Sequence, residues 1–428
     1  MNKEVQPASK LEGTLSLPPD KSISHRAAMF ASLHRGESEI RNYSAAADPQ
    51  DTLSCMRQLG VDIEQEGTTV LVKGRGRDGL KQPVSNLDCG NSGTTIRLLS
   101  GIVGGAGVSC TLTGDESLSA RTMRRIIDPL SRMGITIRAR NGDFAPLEIK
   151  RTGPVHPLEF ELPIPSAQLK SCVLLAGLFG DEPTRVIETL PSRDHTERLL
   201  KLPVEEDGRK RIISSSSDHE IPAQTYAVPN DFSAAAFWLV AGCIHPNASI
   251  YLNAVGINPT RTAALDILQN MGANISIENE RTEGAEPVAD LSVKSSVLQP
   301  VDITGEVVPN CIDELPILTV AMLFADGVST ISGAQELRHK ETDRLKAMAE
   351  ILQSAGADFT EFDDGLEVRG NPHFQPRPAN YSSYHDHRIA MAAAVLAMMG
   401  EKPSNIIGAE CAAISYPSFW DDLKVLTN

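Results

Sequence analysis

The chain has 428 residues, more than a single hydrophobic core usually spans, so two or more core units are expected. Hydrophobic residues make up 41% of the sequence and aromatic residues only 4%, so the cores must be built mainly from aliphatic side chains. The formal net charge of −15 argues against nonspecific nucleic-acid binding, which needs a basic face that displaces counterions.

The cysteines and the first residues indicate a reducing, aqueous compartment. The seven cysteines form no C-x-x-C pair, so neither a disulfide framework nor a structural zinc site is expected. The first residues, MNKEVQPASKLEG, contain no apolar or arginine-rich targeting segment, and no run of residues approaches the length of a membrane span. We therefore expect a cytoplasmic protein that binds neither membranes nor nucleic acid.

An apolar segment with the length of a helix recurs six times and ends at a glycine each time. Each copy is rich in Ala and Leu on nearly all sides, which is typical of a buried helix. Most copies begin at a small or polar residue that suits a helix start. The predicted buried helices are Ser22–Gly36, Ser92–Gly104, Ala167–Gly180, Asp231–Gly242, Asp313–Gly327 and His387–Gly400.

A second, amphipathic helix alternates with the buried one. It often ends in a glycine that leads directly into a strand, as in CMRQLGVDIE, IIDPLSRMGITIR, LDILQNMGANISI and MAEILQSAGADFTEF. A left-handed helix C-cap explains a glycine at this position, and the alternating residues after it predict a strand. These glycines are Gly60, Gly134, Gly272 and Gly356, and weaker copies begin near Arg193 and Pro417.

The two helix types together define six repeats. Each repeat has about 71 residues, which is longer than the repeats of common solenoids. The extra length suits strands between the helices, so each repeat is predicted to be a small α/β unit with its apolar helix inside and its sheet outside. The third repeat ends near Val228–Phe237, which predicts two similar lobes of three units with a cleft between them. We interpret residues 205–224 as a solvated loop rather than an exposed hairpin.

The starts of the six buried helices carry small, polar and basic residues. Helix N-termini offer unpaired N–H groups and a positive dipole end, to which anions bind. Ordinary capping explains any one start, but six together, with Lys21, Arg26, Arg97 and Arg388 beside several, predict an anion-binding cleft. The segment His385–His387 is compatible with a metal ligand pair, but no further ligand cluster supports it, so no metal site is predicted.

Seven segments carry more specific motifs. They are PPDKSISHRAAM (18–29), GNSGTTIRLL (90–99), GDESLSARTM (114–123), PSAQLKS (165–171), SRDHTERL (192–199), HKETDRL (339–345) and YHDHRIAM (384–391). Together they resemble the EPSP synthase family of enolpyruvyl transferases over essentially the whole chain, and the combination of DKSISHR with KETDR is specific to that family. The resemblance implies an α/β protein of two lobes, each with three βαβαββ units, buried parallel helices and outer sheets (an inverse α/β barrel). The lobes are expected at 18–235 and at 1–17 with 236–428.

The resemblance also implies an activity and a set of site residues. Members transfer the enolpyruvyl group of phosphoenolpyruvate to the 5-hydroxyl of shikimate 3-phosphate, in the shikimate pathway to chorismate and the aromatic amino acids. No metal and no organic cofactor are implied, and a monomer is expected. Contacts to shikimate 3-phosphate are implied for Lys21, Ser22, Arg26, Ser166, Ala167, Gln168, Asp313 and Lys340. Contacts to phosphoenolpyruvate are implied for Lys21, Gly93, Arg121, Gln168, Arg344 and Arg388.

The sequence departs from the family pattern at four positions. Pro19 stands where glycine is commoner, and Thr122 stands where proline is usual. Ala167 replaces a serine, so only its backbone can bind phosphate. Ile414 occupies the place of a lysine that many members have before an aromatic–proline segment. We therefore expect one basic contact to phosphoenolpyruvate to be missing or to come from elsewhere.

Enolpyruvyl transfer needs two kinds of group. A carboxyl group must protonate the methylene carbon, and a second carboxylate must lie near the attacking hydroxyl. Glu341 and Asp313 are the candidates, and Lys21 is a further candidate for proton transfer. The guanidinium groups of the site can hold phosphate and carboxylate and neutralise the leaving phosphate. For Glu341 and Asp313, capping of a helix is the alternative role.

The sequence offers two alternatives to this activity. An enolpyruvyl transferase acting on UDP-N-acetylglucosamine carries a cysteine in a mobile loop as proton donor. Here the corresponding stretch reads GDESLSART, and Cys110 lies upstream on a predicted strand, which disfavours that activity. A non-catalytic anion-binding sensor on the same scaffold would need neither Asp313 nor Glu341.

The resemblance also implies an inhibitor. Glyphosate inhibits many members of the family at the phosphoenolpyruvate site, which the turn at Gly93 faces.

Overall fold

Two compact units make up the chain. The computed structural model describes residues 1–427. The N-terminal unit comprises Pro19–Val228 and Glu283–Glu286, and the C-terminal unit comprises Met1–Pro18, Pro229–Thr282 and the described residues from Pro287 onward. Each unit has its own cluster of buried hydrophobic side chains. The units divide at 18/19 and 228/229, compared with the expected 17/18 and 235/236. The sequence did not predict that the short segment Glu283–Glu286 belongs to the N-terminal unit.

Helices and strands alternate along the described residues. The α-helices are α1 Lys21–Leu33, α2 Ala47–Gln58, α3 Gly93–Ala106, α4 Glu116–Ser119, α5 Arg124–Arg132, α6 Ala167–Gly177, α7 His195–Leu200, α8 Phe232–Ile244, α9 Ala263–Asn270, α10 Val308–Cys311, α11 Leu315–Leu323, α12 Arg344–Ala355, α13 His387–Ala397 and α14 Phe419–Thr427. Two 3₁₀ helices span Gln335–His339 and Ala409–Ile414.

The strands are short, as expected for small sheets. They are β1 Asn2–Val5, β2 Leu11–Leu15, β3 Arg35–Arg41, β4 Asp62–Glu66, β5 Thr69–Arg75, β6 Leu87–Asp88, β7 Cys110–Thr113, β8 Thr136–Arg140, β9 Phe144–Lys150, β10 Glu159–Glu161, β11 Thr184–Glu188, β12 Val204–Asp207, β13 Lys210–Ser215, β14 Tyr226–Ala227, β15 Ala248–Gly256, β16 Asn274–Glu283, β17 Glu286–Lys294, β18 Asp302–Ile303, β19 Gly327–Ile331, β20 Asp358–Phe362, β21 Gly365–Gly370, β22 Asn380–Ser382 and β23 Ser404–Ile407.

The N-terminal unit has three four-stranded sheets with one topology. Their strand orders are β14-β3-β5-β4, β6-β7-β9-β8 and β10-β11-β13-β12. In each sheet the first two strands are parallel and the remaining pairs are antiparallel. The helix between the parallel strands of the second and third sheets is a predicted buried helix, which gives the βαβαββ unit. In the first sheet β14, from the end of the unit, supplies the parallel partner of β3.

The C-terminal unit repeats this topology with one difference. Two sheets have four strands, in the orders β16-β17-β15-β2 and β18-β19-β21-β20, and the third has only the strands β1-β23-β22. The parallel partner of β15 is β2, and β1 pairs antiparallel with β23. The predicted α/β class with three repeats in each lobe is therefore confirmed, although the sixth repeat lacks one strand.

The apolar helices form the inside of each unit. All residues of α8 and α11 are buried, whereas sheet strands such as β5 alternate between buried and exposed residues. The carboxyl ends of α1, α3 and α6 line one cavity of about 570 Å³, and those of α8, α11 and α13 lie at a second of about 330 Å³. Within each unit the three helices are therefore parallel and begin at a common end.

Several local predictions were confirmed and others were wrong. Gly60, Gly134, Gly272 and Gly356 all have φ between +78° and +89°, as left-handed ends of the amphipathic helices require. The segment 205–224, predicted to be a solvated loop, instead contributes most of the hairpin β12–β13 of the third sheet. The buried helices were also predicted to end at glycines, but α3 and α8 continue past Gly104 and Gly242.

Candidate functional site

The buried helices of the N-terminal unit begin at residues that were expected to bind anions. Helices α1, α3 and α6 start at Lys21, Gly93 and Ala167. The capping side chains, each of which accepts a hydrogen bond from a first-turn backbone N–H, are Asp20, Ser92 and Ser166. Each cap satisfies one first-turn donor, and other donors of that turn remain to bind an anion.

Gln168 joins the starts of α3 and α6. Its Nε2 donates to Thr94 Oγ1 at 3.0 Å, and its Oε1 accepts from Arg97 Nη1 at 2.8 Å. Arg97 Nη2 also donates to the carbonyl oxygen of Thr122 at 3.2 Å. Arg97 therefore fixes the orientation of Gln168, a residue predicted to contact both substrates.

Gly93 lies against two guanidinium groups. A methyl group at Gly93 would lie 2.7 Å from Arg97 Nη1 and 3.5 Å from Arg121 Nη1. Arg121 Nη2 donates to Asn91 Oδ1 at 2.6 Å and to Ser117 Oγ at 3.1 Å. The absence of a side chain at Gly93 thus lets Arg97 and Arg121 approach the start of α3 closely.

Lys21 is held by a carboxylate of α2. Its Nζ donates to Asp48 Oδ2 at 3.0 Å. Asp51 follows one turn later on α2, and burial raises the pKa of Asp51 to about 6, with further repulsion from Asp48, Asp88 and Asp115. The predicted proton-transfer residue Lys21 is thus paired with Asp48, on the same helix that carries Asp51.

Arg26 is buried and bonds only neutral oxygen atoms. Its Nε donates to Thr196 Oγ1 at 2.8 Å, its Nη1 to the Ser22 carbonyl at 3.0 Å and its Nη2 to Ser171 Oγ at 3.0 Å. Burial lowers the pKa of Arg26 to about 10, although the Glu197 carboxylate partly offsets this effect. A buried cation with such partners is favourably placed to bind an anion.

In the C-terminal unit Arg344 gathers three carboxylates. Its side chain is 1% exposed, and it bonds Asp386 through Nε at 2.7 Å, Asp313 through Nη1 at 3.1 Å and Glu341 through Nη2 at 2.6 Å. Burial disfavours the charge, but these carboxylates outweigh it and raise the pKa of Arg344. Arg344 was expected to bind phosphoenolpyruvate, and in this structure it orients the two predicted catalytic carboxylates.

Asp313 has two more basic neighbours. Arg388 Nη1 donates to its carbonyl oxygen at 2.9 Å, and Arg388 Nε lies 3.8 Å from Asp313 Oδ1. Lys340 Nζ lies 3.8 Å from the same carboxylate oxygen. Burial lowers the pKa of Lys340, and the Asp313 carboxylate partly offsets this effect. The predicted residues Asp313, Lys340, Glu341, Arg344 and Arg388 thus form one cluster.

A second layer of charges supports this cluster. Glu314 accepts from Ser233 Oγ at 2.6 Å, from Arg261 Nη1 at 2.8 Å and from Arg388 Nη1 at 3.3 Å. Arg388 Nη2 also donates to Ser233 Oγ at 3.1 Å. Because Glu314, Ser233 and Arg261 are buried, their bonds fix the position of the Arg388 side chain.

Three members of the site were not assigned to a substrate or a catalytic step from the sequence. Arg97 belongs to the GNSGTTIR motif, and Asp386 caps α13 within HDHR, so both had a motif signal. Asp386 follows Tyr384 and His385, whose φ angles of 52° and 59° are unusual for residues other than glycine. Arg261 had no signal, because it follows an irregular turn in NPTRT.

Two of the four positions that depart from the family pattern make ordinary structural contacts. Thr122 Oγ1 donates to Asp143 Oδ1 at 2.6 Å. Ile414 packs against the hydrophobic core of the C-terminal unit. Residues 1–427 contain no group of three or more His, Cys, Asp or Glu side chains arranged to hold a metal ion. Over the same residues, no helix is both long and apolar enough to cross a membrane.

Comparison with known proteins gives consistent matches along the chain. The sequence profile described as EPSP synthase (3-phosphoshikimate 1-carboxyvinyltransferase) matches residues 5–423. A 3-phosphoshikimate 1-carboxyvinyltransferase of Salinibacter ruber is 50% identical over 428 residues, covering 99% of each chain. The protein with that name from Geobacillus kaustophilus is 44% identical over 422 residues, covering 98% of each chain.

Solved structures agree with these sequence matches. EPSP synthase from Acinetobacter baumannii is 38% identical, with a TM-score of 0.87 over 100% of this chain and 98% of that one. The enolpyruvyl transferase NikO of Streptomyces tendae shares the fold, with a TM-score of 0.76 over 99% and 96% of the two chains, at 17% identity. The fold is that of an enolpyruvyl transferase. The chain belongs to the EPSP synthase family, as its motifs predicted, and is an enzyme.

Proposed function

We propose that this enzyme transfers the enolpyruvyl group of phosphoenolpyruvate to the 5-hydroxyl of shikimate 3-phosphate, releasing phosphate and 5-enolpyruvylshikimate 3-phosphate. The observation that carries the proposal is the cluster in which Arg344 holds Asp313 and Glu341, within a chain that matches the EPSP synthase family over residues 5–423. The same comparisons do not favour a UDP-N-acetylglucosamine enolpyruvyl transferase.

The reaction is an addition followed by an elimination. The methylene carbon of phosphoenolpyruvate gains a proton while the 5-hydroxyl oxygen attacks the adjacent carbon and loses its own proton. The resulting tetrahedral intermediate loses phosphate, and the methyl group returns one proton, which restores the double bond. The addition needs one group that gives a proton to carbon and one that accepts the hydroxyl proton, and the elimination needs a group that takes the proton back from carbon.

We assign the hydroxyl proton to Asp313 and the carbon proton to Glu341. Both side chains remain partly exposed, at 16% and 24%, so a substrate can reach their carboxyl oxygens. Arg344 bonds one oxygen of each and fixes the distance between them. Lys21, which Asp48 holds, is assigned as an additional proton carrier. A sensor would have no use for this paired arrangement of acids.

The site residues are assigned to the two substrates. In the N-terminal unit, Lys21, Gly93, Arg121 and Gln168 are assigned to phosphoenolpyruvate. The residues of the same unit that are assigned to shikimate 3-phosphate are Lys21, Ser22, Arg26, Ser166, Ala167 and Gln168. In the C-terminal unit, Lys340 and Asp313 are assigned to shikimate 3-phosphate, and Arg388 with Arg344 to phosphoenolpyruvate. For Arg344 this requires a substrate oxygen to replace one of its present carboxylate partners.

The location and the oligomeric state belong to the same proposal. We infer a cytoplasmic monomer, because the residues assigned to both substrates lie on one chain and all seven cysteines are free, as is typical of a reducing compartment. Size-exclusion chromatography with light scattering tests the monomer, and a mass of two chains would refute it.

A coupled phosphate assay tests the activity. Phosphate should be released from phosphoenolpyruvate only when shikimate 3-phosphate is present, and the organic product should carry a carboxyvinyl ether detectable by NMR. Shikimate lacking the phosphate and UDP-N-acetylglucosamine are the comparison acceptors. Release with UDP-N-acetylglucosamine but not with shikimate 3-phosphate would contradict the proposal, as would binding of both substrates without release.

A further inference from the structure

One sequence motif has no role in the mechanism derived above. The segment SRDHTERL leads into α7, a helix of only six residues, and two consecutive residues of α7, Thr196 and Glu197, are buried. Thr196 has no exposed surface, so it cannot touch a substrate. Its hydroxyl nevertheless bonds Arg26, a residue assigned to shikimate 3-phosphate.

The hydrogen bonds around Thr196 can run in only one direction. Arg26 only donates, so the oxygens of Thr196 and Ser171 accept from its Nε and Nη2. Ser171 Oγ donates its single proton to the Ala167 carbonyl at 2.6 Å. The 2.7 Å contact between the two hydroxyls must therefore use the proton of Thr196. The chain runs from Arg26 through Thr196 and Ser171 to the first residue of α6.

The other side of α7 is anchored by a buried lysine. Lys170 on α6 has no exposed surface, and its Nζ contacts Glu197 at 2.7 Å, Glu188 at 2.9 Å and the Ser192 carbonyl oxygen at 3.3 Å. The ammonium group donates hydrogen bonds to Glu188 and to the Ser192 carbonyl, and it forms a close ion pair with Glu197. Because breaking a buried ion pair is strongly destabilising, this anchor holds α7, and with it Thr196, in a single position.

The bonds leave part of the Arg26 guanidinium for a ligand. The group has five N–H donors, and three of them bond Thr196, Ser22 and Ser171. The remaining two, one on each Nη, bond no described residue. Two neighbouring N–H groups of this kind match two oxygens of an anion. The position of this pair is set by the Nε bond to Thr196.

We propose that Thr196 is a positioning residue for shikimate 3-phosphate, which acts by fixing the guanidinium of Arg26. The inference rests on the proposed function, because Arg26 is assigned to that substrate. Phosphoenolpyruvate is assigned to other residues of this unit, among them Gly93 and Arg121. Loss of the Thr196 hydroxyl should therefore weaken one substrate and spare the other.

The test compares Thr196→Val with Thr196→Ser. The valine variant has almost the same shape but cannot bond Arg26, and KM for shikimate 3-phosphate should rise about tenfold or more, the scale of one hydrogen bond to a charged group. KM for phosphoenolpyruvate should stay within about twofold on the same scale. The serine variant should restore most of the affinity. Thr184→Val is the matched control, since Thr184 is buried in the same unit and its hydroxyl bonds no described residue.

Each outcome decides the inference. Ser171→Ala should reproduce the selective effect, which provides a second test if Thr196→Val does not fold. An unchanged KM for shikimate 3-phosphate in a folded Thr196→Val protein, or equal rises for both substrates, would overturn the positioning role while leaving the proposed function intact. If the native enzyme released no phosphate with shikimate 3-phosphate, the proposed function would fail first and this inference with it.

Discussion

Replacing Gly93 with alanine tests how closely the arginines approach the start of α3. The new methyl group would lie 2.7 Å from Arg97 Nη1, whereas an ordinary contact needs at least 3.4 Å. Arg97 must therefore move by about 0.7 Å, because its side chain is flexible and the helix backbone is not. Its bond to Gln168 Oε1 is 2.8 Å long, and a shift of this size along the bond would take it beyond hydrogen-bonding distance.

The cost follows from the kind of bond that is lost. A hydrogen bond to a charged group contributes about 1.5–3 kcal/mol, and about 1.4 kcal/mol corresponds to a tenfold change in affinity. Gly93→Ala should therefore raise KM for phosphoenolpyruvate about tenfold or more. Because glyphosate is longer than phosphoenolpyruvate, its inhibition constant should rise by a larger factor.

Steady-state kinetics on the native enzyme and four variants provide the assay. Gly153→Ala is the control, since a methyl group there meets no atom within 4 Å. In a Gln168→Ala background the same Gly93→Ala change should have a much smaller effect, because the bond is already absent. Fully additive effects, or an unchanged KM for phosphoenolpyruvate, would refute the route through Arg97. Equal factors for glyphosate and phosphoenolpyruvate would refute the discrimination.

Three further predictions concern the acids and the two units. Glu341→Gln and Asp313→Asn should each keep substrate binding but lower turnover by about 100-fold or more, the usual scale for a general acid or base; near-normal turnover in single-turnover kinetics would remove the assigned role. Burial raises the pKa of Asp51 from 3.8 to about 6 in the folded protein. Between these two pH values the folded protein binds more protons than the unfolded one, so the free energy of unfolding decreases as pH rises from about 4 to 6. Asp51→Asn should therefore raise the melting temperature at pH 8 and much less at pH 4, and an equal rise at both would contradict the pKa. Finally, the assigned substrate residues are divided between the two units, so both ligands together should lower the radius of gyration in solution scattering, and an identical radius would count against closure.

The starts of the buried helices could be predicted well from sequence, and their ends could not. Starts carry capping side chains such as Asp20 and Ser92, which are local signals. The sequence pattern predicts helix ends at Gly104 and Gly242, but both glycines lie inside α3 and α8. A methyl group at these positions would lie 2.7 Å from Ile135 and 2.6 Å from Val293. These glycines allow close packing between helix and sheet, which depends on tertiary contacts.

The sequence predicts which residues belong to the candidate site but not which of them contact one another. Motifs identified Asp313, Glu341 and Arg344, and the structure brings the three together. Asp386 is 42 residues from Arg344 in sequence, and nothing local indicates that the two form an ion pair. The same limit applies to Arg97 and Gln168, whose bond joins two different repeats.

The pairing of residues 1–17 has a consequence for the order in which the protein can fold. In the N-terminal unit, the last strand required is β14, so that unit can close its sheets once residue 227 has left the ribosome. In the C-terminal unit, β2 must wait for Ala248–Leu252, and β1 must wait for Ser404–Ile407. Strand β1 precedes every other described strand in the chain but is among the last to be paired, and until then its edge is unpaired and exposed to other chains.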